Sequence, residues 1–398
     1  MITLLPNREK SLLRLHPWVF SGAIDKVTDN PKLGETVEIK DSKGHFLAWA
    51  AYSPNSQIRA RVWSFNEPDI IDKNFFMHRV VGAALAVAPY NAVTNPDSQT
   101  AYRIINAEND YMPGCIVDYY AGYLSVQLLS AGWEIHRQTL VECLKEVFPH
   151  CKGIIERSDS DVRIKEGLEP LVQILSGDVP KEPIVIEENG LKILVDLYKG
   201  HKTGYYLDQK NARKRIGELA KGKNVLNCFC YTGGFGLFAA AGGANSVKQV
   251  DVSAPALELA KQNAELNHLS TPIEYIESDV FTYLRKCRDR GESFDLIILD
   301  PPKFAESVSQ VEKAAKGYKD INLLAIKLLV PGGMLATFSC SGHISSELFQ
   351  KIVADAAVDA KRPVQILENF RQAQDHPVLS SFPEGMYLKG YLVATSRF

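Results

Sequence analysis

Neither sign of charge is in surplus: 45 Lys and Arg stand against 47 Asp and Glu, a formal net of −2 over 398 residues. A uniformly basic coat is excluded, so any nucleic-acid contact must use local patches. Cysteine is sparse, seven in all (Cys115, Cys143, Cys151, Cys228, Cys230, Cys287 and Cys340), with no C-x-x-C pair. That odd, scattered set fits free thiols in a reducing compartment, not a disulfide framework or a zinc site. No apolar run reaches the ~18 residues of a membrane span. The opening Met-Ile-Thr-Leu-Leu-Pro-Asn-Arg-Glu-Lys lacks the apolar core of a signal peptide. Internal repeats and low-complexity tracts are missing too. The apolar share of 45% and charged share of 23% are ordinary for a globular protein. The expectation is a soluble cytoplasmic protein of two or three domains, with no membrane partner and no metal.

The first 70 residues read as short strands broken by turns: Glu35–Lys40, the turn Asp41-Ser42-Lys43-Gly44, His45–Ala51 and Ile58–Ser64. That spacing suggests a small β-barrel-like module. It carries nine basic and eight acidic residues, so charge alone does not make it an RNA binder. Residues 71–183 read differently. A helix is expected over Phe75–Val87, then a Pro/Asn-rich loop through Pro96, strands at Gly114–Tyr119 and Tyr123–Leu129, a helix at Glu134–Val147 and a strand at Gly153–Arg157. This β-β-α-β order describes an α+β unit, closed by the Gly- and Pro-containing stretch Ser176–Pro183.

From residue 184 to 398 strands and helices alternate. Val225–Asn227 leads through a glycine loop to a helix at Phe235–Ala241. Ser246–Asp251 leads to a helix at Ala254–Asn267, and Ile273–Glu277 to one at Phe281–Arg290. Phe294–Asp300 is nearly all apolar, as expected of a strand buried on both faces, and Gly333–Phe338 repeats that look before a helix at Ser345–Lys361. Repeated βα units imply an α/β fold with a doubly wound parallel sheet, whose ligands sit outside the carboxyl ends of the strands.

The loop Asn227-Cys-Phe-Cys-Tyr-Thr-Gly-Gly-Phe-Gly236 follows the first of these strands. Its glycines allow a tight turn and close backbone approach to a ligand. It is not G-x-G-x-x-G, so a dinucleotide is poorly supported, and close approach without a phosphate grip suits S-adenosylmethionine. Asp251, 17 residues beyond Gly234, stands at the next strand's end to accept from ribose hydroxyls. Asp279 is similarly placed for the adenine. The expected cofactor contacts are Asn227, Phe229, Tyr231, Gly233, Phe235, Asp251, Ser253, Asp279 and Val280, with Tyr206 and Asp208 as a lid.

Asp300-Pro-Pro-Lys-Phe304 and Ser339-Cys-Ser341 lie at two further strand ends. The prolines fix an extended backbone. The acid or carbonyls can contact the edge of a flat nitrogenous base, and the Phe304 ring can stack on it, so Pro301, Pro302, Lys303 and Phe304 are expected substrate contacts. Cys340 narrows the reaction. Carbon 5 of a pyrimidine is a poor nucleophile until a thiolate adds to carbon 6, whereupon carbon 5 can attack a methyl sulfonium. Asp300 could protonate or hydrogen-bond N3 to assist. Cys228 and Cys230 read as packing residues. Lys199–Arg215 holds six basic residues and one acid, with Tyr205 and Tyr206 among them. Lys199, Lys202 and Arg213 are expected on the RNA backbone, although Lys210–Arg215 also reads as a solvated helix face.

The chain resembles the bacterial 23S rRNA cytosine-C5 methyltransferases of the RlmI type. The similarity runs through His16-Pro-Trp-Val-Phe-Ser-Gly22, Glu156-Arg-Ser-Asp159, Glu166-Gly-Leu168 and Gly200-His-Lys-Thr-Gly-Tyr-Tyr-Leu-Asp-Gln209. It continues in Tyr231-Thr-Gly-Gly-Phe235, Asp300-Pro-Pro-Lys-Phe304, Ser339-Cys-Ser341, Asp375-His-Pro377, Pro383-Glu-Gly385 and Tyr387-Leu-Lys-Gly390. The resemblance implies a PUA-like RNA-binding domain (1–70), a central α+β domain (71–183) and a class I, Rossmann-like methyltransferase domain (184–398). It further implies Cys340 as the attacking thiol, 23S rRNA or a large-subunit assembly intermediate as partner, and a homodimer. No second thiol follows the prolines of Asp300-Pro-Pro to help release product. Two other readings stay open on the residues alone. One is an N-methyltransferase acting on a base nitrogen, with Cys340 as packing; the other is a non-enzymatic RNA-binding assembly factor.

Overall fold

A computed structural model describes residues 1–87 and 100–396, so the Pro/Asn-rich loop expected through Pro96 lies outside the described residues. Short strands with alternating burial build the amino-terminal sheet: β1 (Ile2–Leu4), β2 (Trp18–Phe20), β3 (Ile24–Val27), β4 (Thr36–Lys40), β5 (Phe46–Tyr52) and β6 (Ile58–Ser64), with a short helix α1 (Lys10–Leu13). Their order is β2-β6-β5-β4-β1-β3. Val37, Ile39, Ala48, Ala50, Ala60 and Val62 point into one core, as period-2 side chains on a half-buried sheet must. Asp41 Oδ1 accepts from the amides of Lys43 (2.8 Å) and His45 (2.9 Å), which makes the β4–β5 turn.

The next elements are α2 (Lys73–Val87), β7 (Ala101–Asn106), β8 (Cys115–Tyr120), β9 (Tyr123–Leu128), α3 (Gly132–Val147), β10 (Gly153–Ser158), α4 (Val162–Glu166) and β11 (Leu171–Gly177). The sheet order is β11-β10-β9-β8-β7. Only β9 and β10 pair in parallel, because α3 is the crossover between them. Phe76, Val80, Trp133, Leu140 and Leu144 from α2 and α3 join the core beneath the sheet. Strands β7 and β11 were not anticipated. Both are edge strands, and β11 alternates only between half-buried and exposed positions, which leaves it no apolar signature. A two-stranded sheet follows, β12 (Ile184–Glu188) and β13 (Leu191–Val195).

The rest is α5 (Lys210–Leu219), β14 (Asn224–Cys228), α6 (Gly234–Ala241), β15 (Ser246–Asp251), α7 (Ala254–Leu266), β16 (Ile273–Glu277) and α8 (Val280–Asp289). Then come β17 (Phe294–Leu299), α9 (Val311–Leu328), β18 (Leu329–Ser339), α10 (Ser346–Ala360), β19 (Val364–Phe370) and β20 (Lys389–Thr395). The seven strands are ordered β16-β15-β14-β17-β18-β20-β19. β17 shows why its sequence is nearly all apolar. Leu296 and Ile298 enter one core layer while Ile297 and Leu299 enter the other, so both faces are covered by helices. Strand order reverses between β14 and β17, which makes their carboxyl ends the switch point where such sheets bind ligands.

The doubly wound sheet is parallel except at one strand. β20 runs antiparallel to both β18 and β19 and lies between them. No crossover helix separates β19 from β20, and a parallel return needs one. By packing, the chain forms two units. The first is Met1–Glu187 with Val195–Leu207 and Gln374–Gly385, and the second is Glu188–Leu194, Asp208–Ala373 and Met386 onward.

Candidate active site

At the switch point, β14 ends in a loop held in unusual backbone conformations. Phe229 and Tyr231 both have positive φ, 58° and 49°. Each such non-glycine residue costs roughly 1–2 kcal/mol, a cost that persists where surrounding contacts over-determine the loop. Those contacts are visible. Asp251, at the end of β15, accepts from the amide of Tyr231 at Oδ2 (2.8 Å) and from the amide of Ser253 at Oδ1 (2.9 Å). Ser253 caps α7 by accepting from the Ala256 amide (3.3 Å), and Asp279 caps α8 by accepting from the Thr282 amide (2.8 Å).

The glycines answer to packing more than to ligand approach. Gly233 has φ +79°, and a Cβ there would lie 2.7 Å from both Ala260 Cβ and Gln249 Nε2; at Gly236 it would lie 2.4 Å from Gln249 Oε1. Their bare faces let α6 settle on β15. Two expected cofactor contacts have side chains packed in the core. Phe235 is buried against Phe338, ring centroids 5.3 Å apart, and Val280 is a core residue of α8. Cys228 and Cys230 are buried, and burial raises both thiols, as inert packing residues require.

Acceptors gather at this end of the sheet. Asn227 is fully buried. Its Nδ2 donates to Gln249 Oε1 (2.9 Å), while its Oδ1 has no partner. Asp208, expected as part of a lid over the cofactor, is buried. Its Oδ2 accepts from the Tyr387 hydroxyl (2.7 Å), and its Oδ1 lacks a donor, as does Gln209 Oε1. Asp300 follows β17, its amide 3.5 Å from the Cys228 carbonyl. Burial first, and the Asp208 carboxylate second, push the Asp300 carboxyl up to about 7, against the opposing pull of Arg213 and the Gln209 side chain.

Phe304 is half-buried against Tyr318 (4.6 Å between centroids), Phe281 and Phe229. Its ring anchors the Asp300-Pro-Pro loop instead of standing clear to stack on a base. Pro301 is buried, whereas Pro302 and Lys303 are exposed. Cys340, half-buried, follows the last residue of β18. Ser339 Oγ donates to the Tyr318 hydroxyl (3.0 Å), which lies 3.2 Å from Ser341 Oγ; the Ala305 amide donates to that same oxygen (3.3 Å). These buried bonds tie the two chemical loops together.

The basic segment divides. Lys199 and Lys202 are exposed in the first unit, where Tyr206 is half-buried with its hydroxyl 3.2 Å from His201 Nδ1. Tyr205 is buried, its amide donating to the Tyr120 hydroxyl, so it does not stack on a base. Arg213 is the clearest correction. Only 3% exposed, it forks onto Glu188 through Nε and Nη2, 2.7 Å each, and so cannot reach an RNA phosphate. Sequence reasoning passed over Gln209, Tyr387 and above all Lys389, a lysine set in the apolar run Leu388–Val393. That break in the pattern was the available signal. Lys389 is 6% exposed and its Nζ donates to the Ser341 carbonyl at 2.7 Å.

A doubly wound sheet with an acid on β15, capped helices and unsatisfied acceptors around its switch point defines a class I methyltransferase. Residues 162–379 match the family model for S-adenosylmethionine-dependent methyltransferases, and residues 2–65 match a PUA-like domain. Proteins called ribosomal RNA large subunit methyltransferase I from Photobacterium profundum and Vibrio cholerae are 53% and 54% identical, each over 98% of this chain and 98% of their own. The chain belongs to this family of S-adenosylmethionine-dependent methyltransferases. In fold it is similar to a Streptococcus mutans protein described as a "putative sam-dependent methyltransferase", with TM-score 0.85, 23% identity and 99% of both chains covered. It is also similar to a protein described as "a putative methyltransferase complexed with SAH", with TM-score 0.84, 24% identity, and 99% of this chain and 100% of the other covered. The cofactor's ammonium and ribose hydroxyls are donors, and Asp208 Oδ1, Gln209 Oε1 and Asn227 Oδ1 are acceptors in want of donors, so the residues present fit it.

Proposed function

We propose that this methyltransferase forms 5-methylcytidine in 23S ribosomal RNA with Cys340 as nucleophile. The observation that carries the reading is a half-buried thiol at the end of β18, beside the strand that delivers Asp300. The relatives' name supplies the substrate class. S-adenosylmethionine supplies an electrophilic methyl group. Asp251 accepts from its ribose, and Asp208, Gln209 and Asn227 receive its amino acid end; Phe229, Tyr231, Ser253 and Asp279 line the loops around it. The Cys340 sulfur adds to carbon 6 of cytosine. Asp300, whose carboxyl holds its proton up to about 7, presents that proton to N3 and draws electron density from the ring. Carbon 5 then carries the nucleophilic character that methylation requires. Loss of the carbon-5 proton to solvent re-forms the 5,6 double bond, expels the sulfur as thiolate and returns the N3 proton to Asp300.

In this reading, residues 1–70 bind RNA, 71–183 support them, and 184–398 carry the chemistry. Exposed Lys199 and Lys202 meet the phosphates, and Lys303 and the prolines border the base. Stacked RNA hides carbon 6, so the target cytosine lies in a loop, is flipped out, or is reached in a large-subunit assembly intermediate. The enzyme works in the cytoplasm, where its substrate is made, as a monomer or homodimer. Among the described residues no helix is long and apolar enough to cross a membrane.

The test incubates the protein with labelled S-adenosylmethionine and unmodified 23S rRNA, naked or in assembly particles, and identifies the modified nucleoside by mass spectrometry. 5-Methylcytidine, lost in Cys340→Ala while cofactor binding survives, is the expected result. An N-methylated nucleoside, or full turnover by Cys340→Ala, overturns the thiol mechanism.

A further inference from the structure

A buried lysine in a strand demands an explanation, because desolvating an ammonium is costly unless something repays it. Lys389 sits on β20 directly opposite Ser339 of β18. Its Nζ reaches to the carbonyl of Ser341 at 2.7 Å. Ser339 and Ser341 flank Cys340, so the lysine's backbone stands opposite one neighbour of the thiol and its ammonium is bonded to the other. Among the described residues no carboxylate pairs with it. The groups that act on it are Cys340, which favours its charge, and Lys303, which opposes it.

We propose that Lys389 is a positioning residue for Cys340: its ammonium, fixed on the Ser341 carbonyl, is the counter-charge that ionises the thiol. The proposal rests on Cys340 being the nucleophile. Ionisation releases the thiol proton to water and leaves the electron pair on sulfur, which is the pair that forms the bond to carbon 6. A cation beside a thiol lowers the pH at which the thiolate forms. Burial brings Lys389 itself down to about 8, so at neutral pH most of it still carries the charge. Lys389, Lys303 and Tyr318 act on this part of the chain. Lys389 comes from β20. Lys303 lies in the loop after β17, exposed and therefore screened. Tyr318 comes from α9, its hydroxyl tied to Ser339 and Ser341 and pushed up by burial so that it stays neutral. Of the three, only Lys389 is a desolvated cation held at a fixed place, and a desolvated charge acts with the least screening.

The experiment measures iodoacetamide alkylation of Cys340 in the full-length protein from pH 5.5 to 10, read by peptide mass spectrometry, without RNA or cofactor. Lys389→Met should raise the midpoint by about one pH unit or more, a roughly tenfold loss of thiolate at neutral pH, as expected when a neighbouring opposite charge is removed. Lys389→Arg should keep the midpoint near that of the unaltered protein. A purely structural role would leave the midpoint of Lys389→Met unchanged, and that result overturns the proposal. Binding of S-adenosylhomocysteine by calorimetry checks that the variants fold. If Lys389→Met does not fold, the unaltered protein decides: a Cys340 midpoint at or above the ordinary value of ~8.5 overturns the proposal, and one well below it supports it. Failure of the nucleophile reading is seen separately, as turnover by Cys340→Ala, whatever the alkylation midpoints.

Discussion

Replacing Asp300 with Asn should stabilise the free protein while disabling it. The Asp300 carboxyl is pushed from 3.8 to about 7 by burial and by Asp208. The folded chain therefore binds this proton more tightly than the unfolded chain does. Stability falls as pH climbs from about 4 through about 7, and above that the whole cost of an ionised, poorly solvated carboxylate is present. At ~1.4 kcal/mol per unit, complete desolvation would cost roughly 4 kcal/mol at pH 8; the water that reaches the partly exposed Asp300 reduces this to ~2 kcal/mol. Asn keeps the shape and lacks the charge. Its advantage should already be partly present at pH 5 and grow to about that value at pH 8. The assay is urea and thermal unfolding across pH 5–8, following the transition that S-adenosylhomocysteine shifts, because two units need not unfold together. Turnover by Asp300→Asn should fall at least ~100-fold, the usual scale for a lost general acid. An Asn variant no more favoured at pH 8 than at pH 5 would refute the buried-charge account of Asp300.

Two further substitutions separate structure from RNA contact and packing from cofactor contact. Arg213→Ala strands Glu188 without its forked partner and should cost ~3–5 kcal/mol in urea unfolding. It should leave the salt dependence of RNA binding unchanged, whereas Lys199→Ala with Lys202→Ala should make it shallower by one to two phosphate equivalents; a slope altered by Arg213→Ala would restore that residue to the RNA surface. Gly236→Ala puts a methyl group 2.4 Å from Gln249 Oε1, the atom that holds Asn227. It should destabilise the protein by ~1–3 kcal/mol and weaken cofactor binding at least tenfold by calorimetry, and unchanged binding would remove Asn227 from the cofactor site.

The local elements of the catalytic unit were legible because their causes are local. β17 reads as doubly buried since Leu296 to Leu299 are all apolar, and β15, α7 and β16 follow from periodicity, caps and glycine turns. The cofactor loop, Asp251 and the Asp300-Pro-Pro and Ser339-Cys-Ser stretches stand at strand ends, so their place at one edge of a parallel sheet follows from alternation alone. Partnership across the chain was not legible. Arg213 and Glu188 are 25 residues apart, and nothing in a basic helix face announces that one of its arginines is buried on an acid. Phe304 looks like a stacking ring until Tyr318, 14 residues on, is packed against it. The glycines of α6 looked like room for a ligand, but what their missing side chains accommodate is Gln249 of another strand. β20 threads between β18 and β19, and that non-consecutive pairing alone carries Lys389 to Ser341. Spacings of 2 and 3.6 residues specify elements and which ends carry chemistry. Which charges meet, and which side chains are spared for substrate, is settled by long-range burial and by the need to satisfy every buried polar group, and those are properties of the packed chain.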